Sequence, residues 1–163
     1  MKVAIFFGSK SDTETMSKAC KVLKDFGIEY KAFVISAHRA GELLRRTVKQ
    51  VESDGFEVII AGAGLAAALP GVIAGITVLP VIGVPIECIS GSSNGLGGLD
   101  ALLSIVQMPP QIPVATVGIG NAANAAYLAA SVLSVKYPDL KTKLLEFRKK
   151  LSDSAELSCS VEL

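Results

Sequence analysis

The 163-residue chain contains a single histidine, His38, set in Ser36-Ala37-His38-Arg39. Imidazole is the side chain whose ordinary pKa lies nearest neutral pH, so it takes up and returns a proton without extreme tuning. Beside it, Arg39 offers a planar array of donors that can grip a phosphate while His38 is left for proton transfer, and Ser36 adds a hydroxyl. A second anion-ready segment is Gly8-Ser9-Lys10-Ser11-Asp12. The Ser9 and Ser11 hydroxyls and free amides can hold a phosphate, and Asp12 can accept hydrogen bonds from ribose hydroxyls. Alone, this segment reads equally well as a helix cap, since Ser and Asp are ordinary capping residues. A third stretch, Ala61 to Gly71, carries no charge. It suits either the presentation of backbone amides to a flat ligand or close packing of strand on helix through small residues. Gly83-Val84-Pro85 and the glycine-serine loop after it, Ser90 to Gly97, would add a further wall or a mobile lid. Cys88 falls near the same place. A lone thiol with no basic neighbour in sequence usually packs as a small core residue, and no role is assigned to it. The sequence has no cluster with metal-ligand spacing and no Walker or dinucleotide glycine pattern.

These segments follow a repeating order of elements. Apolar strands are expected at Lys2 to Phe7, Glu29 to Ile35, Glu57 to Ala61, Leu79 to Val84 and Val114 to Ile119. Helical spacing of apolar residues follows each: Met16, Ala19, Cys20, Leu23 and Phe26 before Gly27; Leu43, Leu44, Thr47, Val48 and Val51 before Gly55; a helix with Pro70 in its first turn; Gly98 to Gln107; and Asn121 to Val135. Five strand–helix units predict a three-layer α/β/α fold around a doubly wound, parallel five-stranded sheet. Ligands of such folds bind beyond the carboxyl ends of the strands, and every candidate segment maps to that rim. A last helix is expected from Asp139 to Leu151, its lysines and arginines forming a solvated face. On this reading residues 1–151 form one α/β domain and 152–163 a C-terminal tail.

Lys and Arg total 16 against 15 Asp and Glu, for a net charge of +1. No long-range field favours nucleic acid or an anionic membrane, so an anionic ligand must be recognised locally. Three cysteines without ligand spacing point to reduced thiols in the cytosol, and Met1 to Ile5 reads as a first strand and not as a signal peptide. Half the residues are hydrophobic and mean hydropathy is +0.50. Val58 to Ile86 and Ala101 to Val135 are uncharged and exceed the ~20 residues of a membrane span. Prolines 70, 80, 85, 109, 110 and 113, with many glycines, cut both into strand- and helix-length pieces. The surplus of apolar residues is better explained by a sheet buried on both faces and by helices that bury their outer faces between subunits.

As a set, Gly-Ser-x-Ser-Asp at 8–12, Ser-Ala-His-Arg at 36–39, Ala-Gly-Ala-Gly at 61–64, Leu-Pro-Gly at 69–71, Gly-Val-Pro at 83–85 and Ser-Ile-Val-Gln-Met-Pro at 104–109 resemble the PurE family, from about Val3 to Arg148. The resemblance implies a flavodoxin-like, cytoplasmic homo-octamer without metal or organic cofactor. It implies an isomerase of purine biosynthesis, a mutase that moves a carboxyl group from the exocyclic amine of 5-(carboxyamino)imidazole ribonucleotide to the adjacent ring carbon. Carried over by position, it implies His38 as proton shuttle, Ser9, Ser11 and Asp12 on phosphate and ribose, and Ser36 with Arg39 on the phosphate. Ala63, Gly64, Leu65 and Leu69 would line the substrate.

The chain departs from the family pattern at Ala40-Gly41, where Thr-Pro is common, and at Ala68, where bacterial mutases usually carry a second histidine. The class that uses free carbon dioxide, aminoimidazole ribonucleotide carboxylase, resembles this chain at Ala68. The long loop with Gly97 to Leu103 is similar to a PurE-like carboxylase of pyridine nucleotides, whose cysteine has no counterpart in Gln107-Met108-Pro109. Open alternatives to the mutase are therefore carboxylation with free carbon dioxide, or a ribonucleotide-binding protein without catalysis.

Overall fold

Alternation along the first strand shows how the molecule is layered. In β1 (Lys2–Phe7), Val3, Ile5 and Phe7 join the core on one side of the sheet and Ala4 and Phe6 the core on the other, all buried. A strand buried on both faces belongs inside a parallel sheet covered by helices. The chain, seen in a computed structural model that describes residues 1–88, 95–157 and 159, is built that way. After β1, a 3-10 turn (Lys10–Asp12) leads into α1 (Thr13–Asp25), followed by β2 (Glu29–Val34), α2 (Gly41–Ser53), β3 (Val58–Gly64), α3 (Ala68–Ala74), β4 (Val81–Ile86), α4 (Leu99–Val106), β5 (Ala115–Thr116), α5 (Ala122–Ser134) and α6 (Pro138–Leu157). All strand pairs are parallel, in the order β2-β1-β3-β4-β5. Residues of α1, α5 and α6 cover one face, and residues of α2, α3 and α4 the other. This is the doubly wound α/β/α fold, with its reversal of strand order between β1 and β3.

The two long uncharged stretches resolve into β3–α3–β4 and α4–β5–α5. Among the described residues no helix is long and apolar enough to cross a membrane. The edge strand β2 is mostly exposed, and Glu29 and Lys31 place charge along it, which discourages further strand pairing.

Several element boundaries differ from expectation, among them the third strand, which runs Val58–Gly64 and not Glu57 to Ala61. The fourth strand runs Val81–Ile86 and so ends two residues later than Val84. The fifth is confined to Ala115–Thr116 and does not extend from Val114 to Ile119. Its ladder continues only as far as Val117 N–H on Gly83 O at 3.2 Å. The next donor on that side of β4 would be Pro85, which has none, and the Pro85 carbonyl instead accepts from Gly120 at 2.8 Å. The last helix continues through Leu157, because Ser152 to Leu157 holds no Gly or Pro to stop it. The tail expected to begin at Ser152 is thus helical for its first six residues. Most of the long loop expected from Ser90 to Gly97 lies outside the described residues.

Glycines let the helices sit close on the sheet. A Cβ at Gly62 would overlap Met16 Sδ of α1, and a Cβ at Gly83 would overlap Ile105 Cγ2 of α4 and lie 3.0 Å from Val114 Cγ1. Ile105 is fully buried and β-branched, with little freedom to move. Gly83→Ala is expected to destabilise the protein by about 1–3 kcal/mol through overpacking. A urea titration checks this as a lower midpoint with an unchanged slope.

Candidate active site

The parallel ladders bring four strand ends to one level. Phe7 pairs with Val34 of β2 and with Gly62 of β3, and Gly64 pairs with Ile86 of β4. One further bond, Ile35 N–H to Phe7 O at 2.9 Å, extends the β1–β2 pairing beyond the strands themselves. The segments that follow, Gly8 to Asp12, Ser36 to Arg39, Ala63 to Leu69 and Ile86 to Cys88, therefore emerge side by side at the switch point. There they enclose a cavity of about 470 Å³, a size suited to a small-molecule ligand.

All ten residues singled out from sequence line this cavity: Ser9, Ser11, Asp12, Ser36, His38, Arg39, Ala63, Gly64, Leu65 and Leu69. His38 and Arg39 are exposed at its edge, and no partner for the His38 ring is present among the described residues. They are held by a tight turn in which Ala40 N–H donates to Ser36 O at 2.9 Å, and Leu44 N–H donates to Ala40 O as α2 begins. The lining also includes apolar Ala63, Ala67, Leu69 and Ile86, all buried, with Ala68 half-buried.

The first turn is organised by its own hydroxyls. Ser9 caps the 3-10 turn by accepting from Ser11 N–H at 3.3 Å, and Asp12 N–H donates to Ser9 O at 3.1 Å. The Ser11 hydroxyl lies 2.9 Å from Ser9 Oγ and 3.1 Å from Asp12 Oδ1, so it donates to one or the other. The segment is a cap, and it also lines the cavity. Burial pushes the Asp12 carboxyl above its usual range, against the opposing pull of hydrogen bonds from the Ser11 hydroxyl and the Ser9 backbone. Among the described residues, apart from its chain neighbours, no atom lies within 4 Å of a Cβ placed on Gly8, which lines the cavity.

Within the uncharged stretch the glycines differ in their surroundings. Gly62 serves packing, against Met16, whereas Gly64 stands at the rim with its Cα close to the β4 backbone. A Cβ there would lie 2.9 Å from Ile86 O. The next residue, Leu65, has φ +54°, a conformation that non-glycine residues seldom adopt.

Sequence reasoning missed Glu87 as a residue of the rim; Cys88, expected near the rim but given no role, lines the cavity as well. Both reach the cavity because β4 extends to Ile86. The only signal was the position of Glu87, the first charge after a long uncharged stretch.

Comparison with known proteins agrees with this architecture. The family model described as AIR carboxylase matches residues 2–154. The chain is 58% identical over 147 residues to a protein of Pyrococcus abyssi named N5-carboxyaminoimidazole ribonucleotide mutase, covering 90% of this chain and 82% of that one. A protein of the same name from Saccharolobus solfataricus is 56% identical, covering 90% and 89%. Among solved structures, the crystal structure of Treponema denticola PurE superposes with a TM-score of 0.82 at 30% identity, covering 94% of this chain and 92% of the other.

The raised Asp12 carboxyl has a consequence for stability. The folded chain keeps this proton to higher pH than the unfolded chain, so Asp12 lowers stability as pH rises from the ordinary 3.8 through its folded value, and the loss persists above it. Asp12→Asn should therefore raise the thermal midpoint at neutral pH. The gain should shrink as the pH is brought below about 4, where an unfolded carboxylate also protonates. Thermal melts of both proteins across pH 3–7 check the sign (range spanning the carboxylate and neutral regimes, roughly).

Proposed function

Because the chain belongs to the AIR carboxylase family, the PurE family, we propose that it works as an N5-carboxyaminoimidazole ribonucleotide mutase in purine biosynthesis. The observation that carries this reading is the place of His38: the one imidazole of the chain borders a cavity lined by hydroxyls, carboxylates and a run of uncharged residues. Arg39 and Ser36, with Ser9 and Ser11, hold the substrate phosphate, helped by the N-terminal end of α1, and Asp12 takes the ribose hydroxyls.

The reaction then needs one proton carrier. As imidazolium, His38 gives its proton to the exocyclic nitrogen while the bond from that nitrogen to the carboxyl carbon breaks. Carbon dioxide leaves, and the electron pair stays on the nitrogen. The electron-rich ring carbon next to it attacks carbon dioxide, forming the carbon–carbon bond and returning negative charge to a carboxylate. Neutral His38 removes the proton from that carbon and restores the aromatic ring. The proton lent is the proton recovered, so the net change is an isomerisation. With Ala68 in place of a second imidazole, His38 carries both transfers. Ala63, Ala67, Ala68, Leu69 and Ile86 supply the water-poor surface that keeps carbon dioxide from hydration.

The names of the relatives disfavour a carboxylase that uses free carbon dioxide and a binding protein without catalysis. The discriminating assay offers the carboxyamino ribonucleotide alone, or aminoimidazole ribonucleotide with bicarbonate. Turnover of the first is expected, and turnover of the second pairing alone overturns the mutase reading.

The proposal includes a homo-oligomer in the cytoplasm, an octamer by family resemblance, a setting that accords with an odd number of cysteines. Along α4, Leu99, Leu103 and Val106 recur at helical spacing on one face and are 49%, 49% and 51% exposed. Val72 of the adjacent α3 is 42% exposed. A second copy of the chain would cover this stripe.

Two outcomes are expected. His38→Asn lowers kcat by about 10²–10⁴ while substrate affinity, read by calorimetry, changes little. Leu103→Glu puts a charge on the apolar stripe and shifts the sedimentation coefficient toward that of smaller assemblies.

A further inference from the structure

The formal charges that line the cavity do not by themselves attract the ligand proposed for it. The lining has one guanidinium, Arg39, against two carboxylates, Asp12 and Glu87. A ribonucleotide bearing a phosphate and a carboxylate brings about three negative charges near neutral pH. Arg39 and the hydroxyls can grip it on arrival, but at a distance this lining offers no pull. Nor does the chain as a whole, whose net charge is +1.

The positive charge stands just outside, on α2. This helix follows directly from the turn that holds His38 and Arg39, and from Ser36 to Gln50 the chain carries Arg39, Arg45, Arg46 and Lys49 against the single acid Glu42. Lys49 is engaged by Glu52 at 3.0 Å. Arg45 and Arg46 are exposed and take part in no ion pair among the described residues. Both lie in the second turn of α2 and border one shallow depression with Glu42 and Lys49. They stand about 6–8 Å along the axis from the start of the helix, within one screening length of about 8 Å at physiological ionic strength. Helix stability does not account for this placement. Glu42 in the first turn suits the helix dipole, but the last turn holds no base, and the helix ends on Glu52 and Ser53 with Asp54 as its cap. The cations are gathered instead toward the end nearer the cavity.

Resting on the mutase reading, we infer that Arg45 and Arg46 are steering residues: their charge draws the anionic ribonucleotide toward Arg39 and the cavity, and they take no part in the carboxyl transfer. Steering of this kind needs no fixed geometry, because an unpaired surface charge acts through its field. With no carboxylate held against either guanidinium, that field is not neutralised locally. It crosses solvent, so added salt must weaken it.

The experiment measures kcat and KM of the full-length protein on the carboxyamino ribonucleotide at ionic strengths of about 0.01 M and about 1 M, where the screening length is roughly 30 Å and 3 Å. Glutamine suits exposed helical positions nearly as well as arginine, so the double variant Arg45→Gln/Arg46→Gln keeps the fold. In it kcat/KM should fall about three- to tenfold at the lower ionic strength and match the parent at the higher, with kcat unchanged at both. Arg45→Lys/Arg46→Lys should behave as the parent, because the charge is kept while the planar fork is lost. The inference is overturned by an equal response to salt in the parent and the glutamine variant, or by a fall in kcat. It is also overturned if the lysine variant is as impaired as the glutamine one, since the guanidinium would then be a direct contact. A parent that does not convert the carboxyamino ribonucleotide at either ionic strength fails differently. That result removes the mutase reading, and this inference with it.

Discussion

Everything in the site depends on the parallel pairing of β1 with both of its neighbours. With Phe7 opposite Val34 on one side and Gly62 on the other, three chain segments leave the sheet at one height and in one direction. A slip of one residue in either ladder would turn the buried face of a strand outward, and with Val3, Ile5, Ala4 and Phe6 all fully buried such a slip is strongly opposed. The cores on the two faces of β1 thereby bring His38 and the Ser9–Asp12 turn to the same cavity. Residues that are 26 positions or more apart in sequence thus line one cavity, with no side-chain bond between them among the described residues.

The same sheet explains why so apolar a chain has so few bulky residues near its rim. Gly62 and Gly83 sit beneath Met16 and Ile105, so α1 and α4 approach the strands closely. Farther along β3, small residues continue for a different reason: Gly64 meets a backbone carbonyl, while Ala63, Ala67 and Ala68 border the cavity. One run of small residues thus serves packing at one end and borders the cavity at the other. Tight packing at the first end keeps the second in place, because close-packed interiors have little room to relax.

The chemistry assembled there is sparse. The cavity has one imidazole, one guanidinium, two carboxylates and a broad apolar wall. A carboxyl migration through carbon dioxide asks for little more: a proton lent and recovered, a phosphate held at a distance from the reacting atoms, and water kept away. Asp12 shows the cost of that dryness, since partial burial disfavours the charge that a ribose would use.

Local pattern was enough to read the class of fold. Alternating apolar strands and helices of fixed spacing dictate a parallel sheet with two covered faces, and chemistry-bearing residues that directly follow strands must stand at its carboxyl edge. All ten candidates reached one cavity for that reason. What the sequence could not contain is set by partners distant along the chain. The early end of β5 depends on Pro85, which lacks a donor for it, and the presence of Glu87 on the rim depends on β4 pairing with β3 as far as Ile86. The positive φ of Leu65 arises where β3, β4 and the approach to α4 converge, and no local propensity predicts it. The amino-acid order alone determined the elements and the residues at their ends. The order of the strands, the heights at which they stop and the strain at the mouth were decided by tertiary structure, because hydrogen-bond ladders and close contacts are formed between segments and not within them.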